Sequence, residues 1–443
     1  MRAVATMSDT VAVAPLLASG GGADGQPVTG QPVDVLCMAC ADGGCDFKPV
    51  QLQRRPLGDR DVLMDMVYCG VCHSDLHFAA GHMNGLQRTT YPCVPGHELV
   101  GVVAAIGAGV TKVALGQHVG VGCMVDSCMK ASCKACQSGE EQKCMKQVAT
   151  YLGKDNGSGR AATYPAGGHT IGGYSSRMVV DENFAVRIPE GYPLECAGPV
   201  MCAGVTMYDP LVKVLGGGRL SGDTTALAGK RVGVVGLGGL GAMGMKIAKA
   251  LGCEVSAISR TRSKEAFARE CGASSFVVSG DAAAMTAARN SLDLILNTVP
   301  TYHDYCAYNG LLAKGGKQVL LGLHKGIGGA MVVNALTGGR SKVMMSGIGG
   351  VAATQAVVDL CAAHDIRPNV EVVGVEKINE VYAKLDGANP DAVRYVLDLA
   401  GTLNDEAAAK CTAPPPVISK FSGGLSPCAV IGECCWLLCC CKW

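Results

Sequence analysis

The sequence predicts an α/β protein with two parts, a β-rich domain and a doubly wound domain built on a parallel sheet. From about Val35 to Val200 the chain has short apolar runs, many glycines and most of the histidines, which is typical of strands joined by loops. From about Lys230 to Gly347 apolar strands alternate with helical stretches. Such alternation favours a parallel sheet covered by helices.

The elements of the second part can be placed individually. Four strands are predicted, over Val232–Val235, Glu254–Ile258, Leu292–Leu296 and Gln318–Leu321. Helical periodicity predicts one helix over Leu240–Leu251 and another near Thr354–Ala363. We expect the short strands that follow, up to Leu399, to return to the first domain.

Size and charge exclude several classes of function. A chain of 443 residues is long enough for two domains with sizeable cores. A formal net charge of +1 gives no basis for binding nucleic acid or an anionic membrane surface. No run approaches the ~20 apolar residues that a transmembrane helix needs. The 24 cysteines do not predict a disulfide framework in a chain of this size. Several cysteines have metal-ligand spacing instead, and thiolates that bind zinc must be reduced, so we expect a reducing compartment, the cytoplasm.

Both ends of the chain differ from the middle. Residues 1–34 lack periodicity and are predicted to be a disordered leader. An organelle transit peptide is the alternative, although Arg2 is the only basic residue there. Residues 406–443 contain three consecutive prolines and end in clustered cysteines, and we predict a disordered tail. The alternative is S-acylation of those cysteines.

A glycine-rich motif follows the first strand of the second part. Gly236 permits a tight turn, Gly238 lets the backbone approach a pyrophosphate, and Gly241 allows the helix to pack closely on the strand. A glycine-rich turn without a ligand is disfavoured because strand, helix and second strand all lie where the motif requires them. The predicted dinucleotide-binding residues are Gly236, Leu237, Gly238, Gly239, Leu240 and Gly241.

The turn after the second strand predicts which dinucleotide binds. An NAD site has an acidic residue there for the ribose 2′-hydroxyl. This chain has hydroxyls and cations instead, which suit the 2′-phosphate of NADP(H). A solvated basic turn would explain Arg262 alone better than the whole run. The predicted contacts are Ser259, Arg260, Thr261 and Lys264.

Four cysteines within one polar loop have the spacing of metal ligands. They are Cys128, Cys133, Cys136 and Cys144. Four thiolates around Zn²⁺ form a closed tetrahedral site that braces a loop and leaves no position for water. Four unrelated thiols are an improbable alternative in a loop with so little apolar content.

A second possible ligand set is dispersed along the chain. Cys72, His97 and Cys202 would leave a fourth zinc position for water, substrate or Glu98. Each residue also has a simpler interpretation: Cys202 as a small buried hydrophobe and His97 as a hydrogen-bonded core histidine.

Taken together, the motifs CGVCHSDLH, YPCVPGHE, GHTIGGYS, MCAGVT, GLGGLG and IGG identify a family. From about Val35 to Asp405 the chain resembles the zinc-containing medium-chain alcohol dehydrogenases, in particular the cinnamyl alcohol dehydrogenase branch and its aldehyde reductase relatives. The resemblance implies a GroES-like catalytic domain over 35–202 and 348–405. A Rossmann nucleotide-binding domain over 203–347 would be inserted within it.

The resemblance also implies roles for residues. Cys72, His97 and Cys202 would hold a catalytic zinc with Glu98 as an exchangeable ligand, and the four clustered cysteines would hold a structural zinc. Relatives are usually homodimers joined through their nucleotide-binding domains. Further positions implied around the cofactor are Thr206, Thr298, Gly322, Ser346, Gly347, Ile348 and, near the pyrophosphate, Arg394.

The implied reaction interconverts aldehydes and primary alcohols with NADP(H). Ser74 is predicted to pass a proton to the alkoxide, and His77, or the cofactor ribose and then solvent, would complete the relay. Asp75 is a candidate partner that orients His97. An ordinary surface or structural histidine is the alternative for His77.

Two departures from the family pattern affect these expectations. Four residues separate Cys128 from Cys133 where relatives have two, so the loop bulges or the structural site is weaker. Ala149 and Gly347 stand where cinnamaldehyde reductases carry aromatic residues, which predicts a wider pocket. Two rival functions are a zinc-free quinone reductase and a non-catalytic NADP(H)-binding sensor or scaffold.

Overall fold

The structure, a computed structural model, describes residues 30–84, 87–158, 169–217, 227–301, 303–322, 342–385 and 392–411. The strands in these ranges are β1 Val33–Cys40, β2 Phe47–Arg54, β3 Asp61–Gly70, β4 Leu99–Ile106, β5 His118–Val121, β6 Met124–Asp126, β7 Val148–Ala149, β8 Arg177–Asp181, β9 Val186–Arg187, β10 Arg231–Val235, β11 Glu254–Ser259, β12 Ser275–Val278, β13 Leu292–Asn297, β14 Leu312–Leu320, β15 Val343–Met345, β16 Val370–Gly374 and β17 Arg394–Asp398. The helices are α1 His73–Ala79, α2 Lys134–Gln137, α3 Leu194–Pro199, α4 Val205–Leu215, α5 Gly239–Ala250, α6 Glu265–Glu270, α7 Ala282–Ala287, α8 Val351–Ala363, α9 Ile378–Leu385, α10 Leu399–Thr402 and α11 Asp405–Ala409.

The second part of the chain forms a parallel sheet, as the alternating pattern predicts. Its strands lie in the order β12-β11-β10-β13-β14-β15, and every described pairing between neighbours is parallel. The central strands β10 and β13 are buried almost throughout, because helices cover both faces of such a sheet. The fold class read from the sequence is confirmed.

The first part of the chain forms a mainly antiparallel sheet that also takes in the last strands. Within the described residues the order is β16-β17-β3-β4-β5-β9, with β8 pairing to β3. Strand β17 pairs antiparallel with β3 at Val396↔Gly70 and Leu397↔Cys69. The expected return of the chain to the first domain is therefore observed.

The predicted limits of the two ends were partly wrong. Val33 and Asp34 belong to β1 and not to a disordered leader, because they pair with Arg54 and Gln53 of β2. Residues 406–409 belong to helix α11, since the Asn404 side chain accepts hydrogen bonds from the amides at its start. Residues 1–29 of the predicted leader and residues 412–443 of the predicted tail lie outside the described residues.

The proposed division after residue 202 lies inside a continuous helical run. Helix α3 leads into a π-helical turn at Val200–Gly204, which leads into α4. The domain limits remain a prediction, and the division of the strands between two sheets supports them. No helix within the described ranges is both long and apolar enough to cross a membrane.

Candidate active site

Four residues from distant parts of the chain form a buried cluster. Candidate ligand atoms of Cys72, His97, Glu98 and Cys202 all lie within 4.8 Å of one another. The two sulfurs are 3.9 Å apart. Zn–S bonds of about 2.3 Å in a tetrahedron separate two sulfurs by about 3.8 Å. The spacing in this cluster therefore fits a zinc ion.

Each member of this cluster is positioned at the end or at an irregularity of an element. Cys72 follows β3 and stands in extended conformation directly before α1. His97 and Glu98 immediately precede β4. Cys202 lies in the π-helical turn, whose irregular hydrogen bonding is frequent at functional sites. Three separate chain segments therefore converge on one point.

The carboxylate of Asp75 contacts two members of this cluster, His97 and Cys72. Its Oδ1 lies 3.0 Å from Nδ1 of His97, and its Oδ2 accepts the Cys72 amide at 2.9 Å and the Tyr174 hydroxyl at 3.1 Å. Burial lowers the pKa of His97, but the charges of Asp75 and Cys123, together with hydrogen bonds to Asp75 and Cys72, hold the pKa well above its ordinary value. A ring fixed through Nδ1 presents Nε2 to a metal.

The two carboxylate oxygens of Glu98 differ in their contacts. Its Oε1 pairs with the guanidinium of Arg394, and its Oε2 has no hydrogen-bond partner among the described residues. Burial raises the pKa of Glu98 to about 7, against the opposing effect of Arg394. An unpartnered buried oxygen beside two thiols and an imidazole suits a metal cation.

The four cysteines of the polar loop form the second cluster. Their sulfurs all lie within 4.8 Å, with Cys128–Cys136 at 3.7 Å and Cys133–Cys144 at 3.9 Å. Both distances match sulfurs of a tetrahedral zinc site. The long spacing between Cys128 and Cys133 does not separate the sulfurs. Within this spacing, Met129 adopts a positive φ of 48°.

Backbone amides donate hydrogen bonds to two sulfurs of this second cluster, although burial raises the pKa of Cys136 to about 12 and also raises that of Cys144. The backbone amide of Cys136 lowers the pKa of Cys133 to about 7. The Lys146 amide donates to Sγ of Cys144 at 3.4 Å. Amide donors of this kind favour thiolates, which are the form that binds zinc.

The glycine-rich motif forms the turn between β10 and α5. Gly236 has φ +90°, and a Cβ there would lie 2.6 Å from Oγ1 of Thr298. Gly238 is the N-cap of α5, and a Cβ on Gly239 would meet Cδ of Arg394 at 3.2 Å. Arg394 thus contacts the glycine-rich turn with its stem and Glu98 of the first cluster with its guanidinium.

A cavity of about 460 Å³ opens beside this turn. Among its lining residues are Gly236, Leu237, Ser259, Arg260, Lys264 and Thr298. Lys264 Nζ is held 3.1 Å from the carbonyl of Leu237. Thr261 and Arg262 do not line this cavity: the Thr261 hydroxyl bonds Ser263, and the exposed Arg262 pairs with Glu265.

The remaining predicted cofactor positions lie in α4 and in the segments that follow β14 and β15. Thr206 is fully buried, and its hydroxyl has no hydrogen-bond partner among the described residues. Gly322 packs on the carbonyl of Val299, where a Cβ would clash. Ser346 donates its amide to Leu320, and Gly347 and Ile348 are buried just before α8.

Two protein-family models match this chain. Residues 58–190 match the family model "Alcohol dehydrogenase GroES-like domain", and residues 239–363 match "Zinc-binding dehydrogenase". A probable cinnamyl alcohol dehydrogenase of Oryza sativa is 38% identical over 89% of this chain and 100% of its own length. A mannitol dehydrogenase of Petroselinum crispum is 41% identical over 81% of this chain and all of its own.

A solved structure agrees with these relatives. The CAD from Helicobacter pylori, in complex with NADP(H), is 34% identical, with a TM-score of 0.70 over 84% of this chain and 100% of its own. The chain belongs to the zinc-containing medium-chain alcohol dehydrogenases. It is a cinnamyl alcohol dehydrogenase-like member of that family. Its two buried or partly buried clusters of cysteine, histidine and glutamate have the residue types of zinc sites.

Sequence reasoning missed several residues of this alcohol dehydrogenase site. Cys123 is a further thiol close to His97 and Cys72, and burial raises its pKa to about 12. Tyr174 donates to Asp75, and its hydroxyl is buried with that of Tyr382. His303 lines the cavity beside the glycine-rich turn. The quoted GHTIGGYS motif contains Tyr174, whereas Cys123 and His303 carry no spacing signal.

The predicted relay residues lie on α1. The Ser74 hydroxyl is 3.5 Å from Sγ of Cys72. His77 is one turn further along the helix and half-buried, with its ring 4.6 Å from that of His73. Ser74 is therefore next to the first cluster, and His77 lies between Ser74 and the helix end.

Proposed function

We propose that this alcohol dehydrogenase reduces aldehydes to primary alcohols with NADPH, and catalyses the reverse reaction with NADP⁺. The main observation behind this proposal is that one arginine, Arg394, contacts both the first metal cluster and the glycine-rich loop proposed to bind the dinucleotide. Its guanidinium pairs with Glu98, and its stem packs on Gly239. A carbonyl bound at the cluster would thus lie near a cofactor bound at the loop.

Cys72, His97 and Cys202 would hold the catalytic zinc, with Glu98 as the exchangeable fourth ligand. Zinc supplies a Lewis acid for the carbonyl oxygen, and the nicotinamide supplies the hydride. Asp75 keeps the His97 ring oriented through Nδ1. Ser74, beside Cys72, hands a proton to the developing alkoxide, and His77 restores the proton of Ser74.

The choice of NADP(H) rests on the turn after β11. Arg260 and Lys264 line the cavity beside Gly236, together with the hydroxyl of Ser259. These groups suit a 2′-phosphate, and the turn from Ser259 to Lys264 contains no carboxylate to repel it. A relative that is 34% identical was solved with NADP(H) bound, which supports the same choice.

The substrate is proposed to be a broad range of aldehydes and not cinnamaldehydes alone. Relatives of similar identity are named for cinnamyl alcohol and for mannitol. Ala149 and Gly347 are both buried and small, so a pocket at these positions would lack aromatic walls. We further propose a cytoplasmic homodimer joined through the nucleotide-binding domains, as the family resemblance implies.

The alternative is a non-catalytic NADP(H) sensor on the same fold. All four residues of the first cluster and Ser74 are in place, which favours the enzyme. A zinc-free quinone reductase is disfavoured for the same reason, because it would not need two thiols and an imidazole around one point.

The test is turnover by purified, zinc-quantified protein. We expect NADPH oxidation with aliphatic, benzylic and cinnamic aldehydes, weaker oxidation of NADH, and loss of turnover in Cys72→Ser. Cys69→Ser is the matched control, since Cys69 is equally buried but lies outside the cluster. Zinc content near two ions per chain, with NADPH bound and no aldehyde turned over, would favour the sensor.

A further inference from the structure

Three buried cysteines lie together outside both metal clusters. Cys40 ends β1, Cys45 lies in the turn between β1 and β2, and Cys93 lies four residues before His97. Cys40 and Cys93 are fully buried, and Cys45 is 9% exposed. None of the three belongs to either group of metal-ligand residues found in the described parts of the chain. The proposed reaction makes no use of them.

Cys40 and Cys93 face each other in an isolated antiparallel bridge. The amide of Cys40 donates to the carbonyl of Cys93 at 3.0 Å, and the amide of Cys93 donates to the carbonyl of Cys40 at 2.9 Å. Two residues that exchange both hydrogen bonds in this way have Cα atoms about 5.5 Å apart. Disulfides usually join Cα atoms that are about 5.5–6 Å apart. The backbone of this pair is therefore placed for a disulfide.

The sulfur of Cys40 lies between those of the other two cysteines. Its thiol donates to the carbonyl of Cys93 at 3.8 Å and has hydrogen bonds with the thiols of Cys45 and Cys93. The hydrogen bond with Cys45 lowers the pKa of Cys40, but the hydrogen bond with Cys93 and burial outweigh it and raise that pKa. The hydrogen bond with Cys40 and burial also raise the pKa of Cys45. Thiolates are therefore scarce in this group, and its reactions with disulfides are slow at neutral pH.

Cys45 is the member of this group that is closest to solvent. Residues 41–44, which precede it in the turn, are all exposed. Cys45 has a positive φ of 55°, and its thiol donates to the carbonyl of Gly43 at 3.7 Å. A small oxidant from solvent therefore meets Cys45 before it reaches Cys40 or Cys93.

We propose that Cys40 and Cys93 form a reversible disulfide, and that Cys45 is the thiol through which a low-molecular-weight disulfide, such as oxidised glutathione, reaches them. The Cys45 thiolate attacks oxidised glutathione, forms a mixed disulfide and releases one glutathione thiol. Cys40 then attacks the sulfur of Cys45 and releases the second glutathione thiol. Cys93 attacks the sulfur of Cys40, and Cys45 leaves as a thiol. Two protein thiols thus lose two electrons and two protons, and oxidised glutathione takes them up to become two thiols.

Strain would make this disulfide reversible. The Cβ atoms of directly opposed residues are about 4.5–5.5 Å apart, whereas a relaxed disulfide needs about 3.5–4.5 Å. A disulfide that is closed under strain is more easily reduced. Transient disulfides are also the kind expected in a reducing compartment. The bond would join the end of β1 to the segment that carries His97 and Glu98 to the first cluster.

The test is thiol mapping of the zinc-loaded protein after incubation with oxidised glutathione, and it needs no aldehyde turnover. Free thiols are alkylated, the protein is digested without reduction, and the peptides are identified by mass. We expect a Cys40–Cys93 disulfide that disappears when dithiothreitol is added. Persistence of both cysteines as free thiols, or a final disulfide between Cys40 and Cys45, would overturn the proposal.

Two variants separate the roles of the three thiols. Cys93→Ser should stop the exchange at a disulfide between Cys40 and Cys45. Cys45→Ser should still reach the Cys40–Cys93 disulfide, but at least tenfold more slowly, because the entry thiol is missing. Cys253→Ser is the matched control and should leave the rate unchanged, since Cys253 is a buried cysteine outside this group whose thiol donates to a backbone carbonyl at 3.5 Å. Oxidation of Cys45→Ser as fast as that of the unsubstituted protein would contradict entry through Cys45.

Discussion

At the scale of single residues, Asp75 is the side chain that connects the first cluster to the residues around it. Its side chain is fully buried and reaches a ring nitrogen of His97, the amide of Cys72 and the hydroxyl of Tyr174. The sequence placed Asp75 only as a partner of His97. The structure adds that the same carboxylate fixes the backbone of Cys72.

Asp75→Asn is expected to weaken zinc binding at the first cluster about 10- to 100-fold, the usual cost of losing a partner that orients a metal-binding histidine. The amide cannot accept at both oxygens and carries no charge to favour the correct ring orientation. Zinc affinity would be measured by chelator competition. Tyr174→Phe removes one hydrogen bond and keeps the carboxylate, so its effect should be smaller. Equal effects in the two variants would contradict this account.

At the scale of elements, the loop with four cysteines is fastened to helices α4 and α8. Glu140 and Asp209 both pair with Lys213 of α4 at 2.7 Å. Oε2 of the buried Glu141 accepts the amide of Val351, the first residue of α8. Gly350, the N-cap of α8, offers no side chain to do so. The second metal cluster thus holds a loop that completes the start of a helix.

Glu141→Ala is expected to destabilise the protein by about 1–2 kcal/mol, because the α8 start loses an acceptor and a negative charge near the helix dipole. The check is the midpoint of thermal unfolding, compared with Glu371→Ala on the exposed side of β16. A variant as stable as the control would show that solvent replaces Glu141 without cost.

Removal of zinc from the second cluster should act in the same direction, since the loop would no longer present Glu141. The two effects should not add, because both remove the same contact.

At the scale of the whole molecule, stability in acid depends on carboxylates that join distant segments. Burial alone would raise the pKa of Glu182, but the amides of Thr111 and Lys112, which donate at 2.7 and 2.8 Å, and Arg60 hold it below its ordinary value. Hydrogen bonds from Arg231 hold the pKa of Asp293 below its ordinary range.

Each of these carboxylates stabilises the fold when charged. Their unfolded pKa values are about 4.3 for Glu and 3.9 for Asp. The stabilisation is therefore complete above those values and is lost as pH falls through the lower pKa of the folded state. We expect the contribution of these two carboxylates to the thermal midpoint to be constant above about pH 5 and to be lost in stronger acid. Glu182→Gln should be less stable at neutral pH and lose less stability on acidification. A parallel fall in both proteins would contradict this.

The parts of the site that lie within short segments of the sequence are the parts that could be predicted from spacing. The glycine-rich turn, the basic turn after β11 and the four clustered cysteines are each contained in a short segment, so spacing was enough to find them. Cys72, His97 and Cys202 are far apart, and only the resemblance joined them. Cys123 and His303 were missed because nothing beside them in the chain marks their place in the fold, and Tyr174 was missed although it lies within the quoted GHTIGGYS motif.

The sequence by itself determined the α/β class, the family and the residue types of both clusters, since these follow from periodicity and motif. Only the tertiary structure decided that Arg394 meets Glu98, at a sequence separation of 296 positions. That contact arises because β17 pairs with the end of β3, shortly before Cys72. Which strand pairs with β3 is set by the order of strands in the sheet, and local sequence pattern does not encode that order. The pairing of Cys40 with Cys93 likewise depends on which segments the fold brings side by side, which becomes visible only with coordinates.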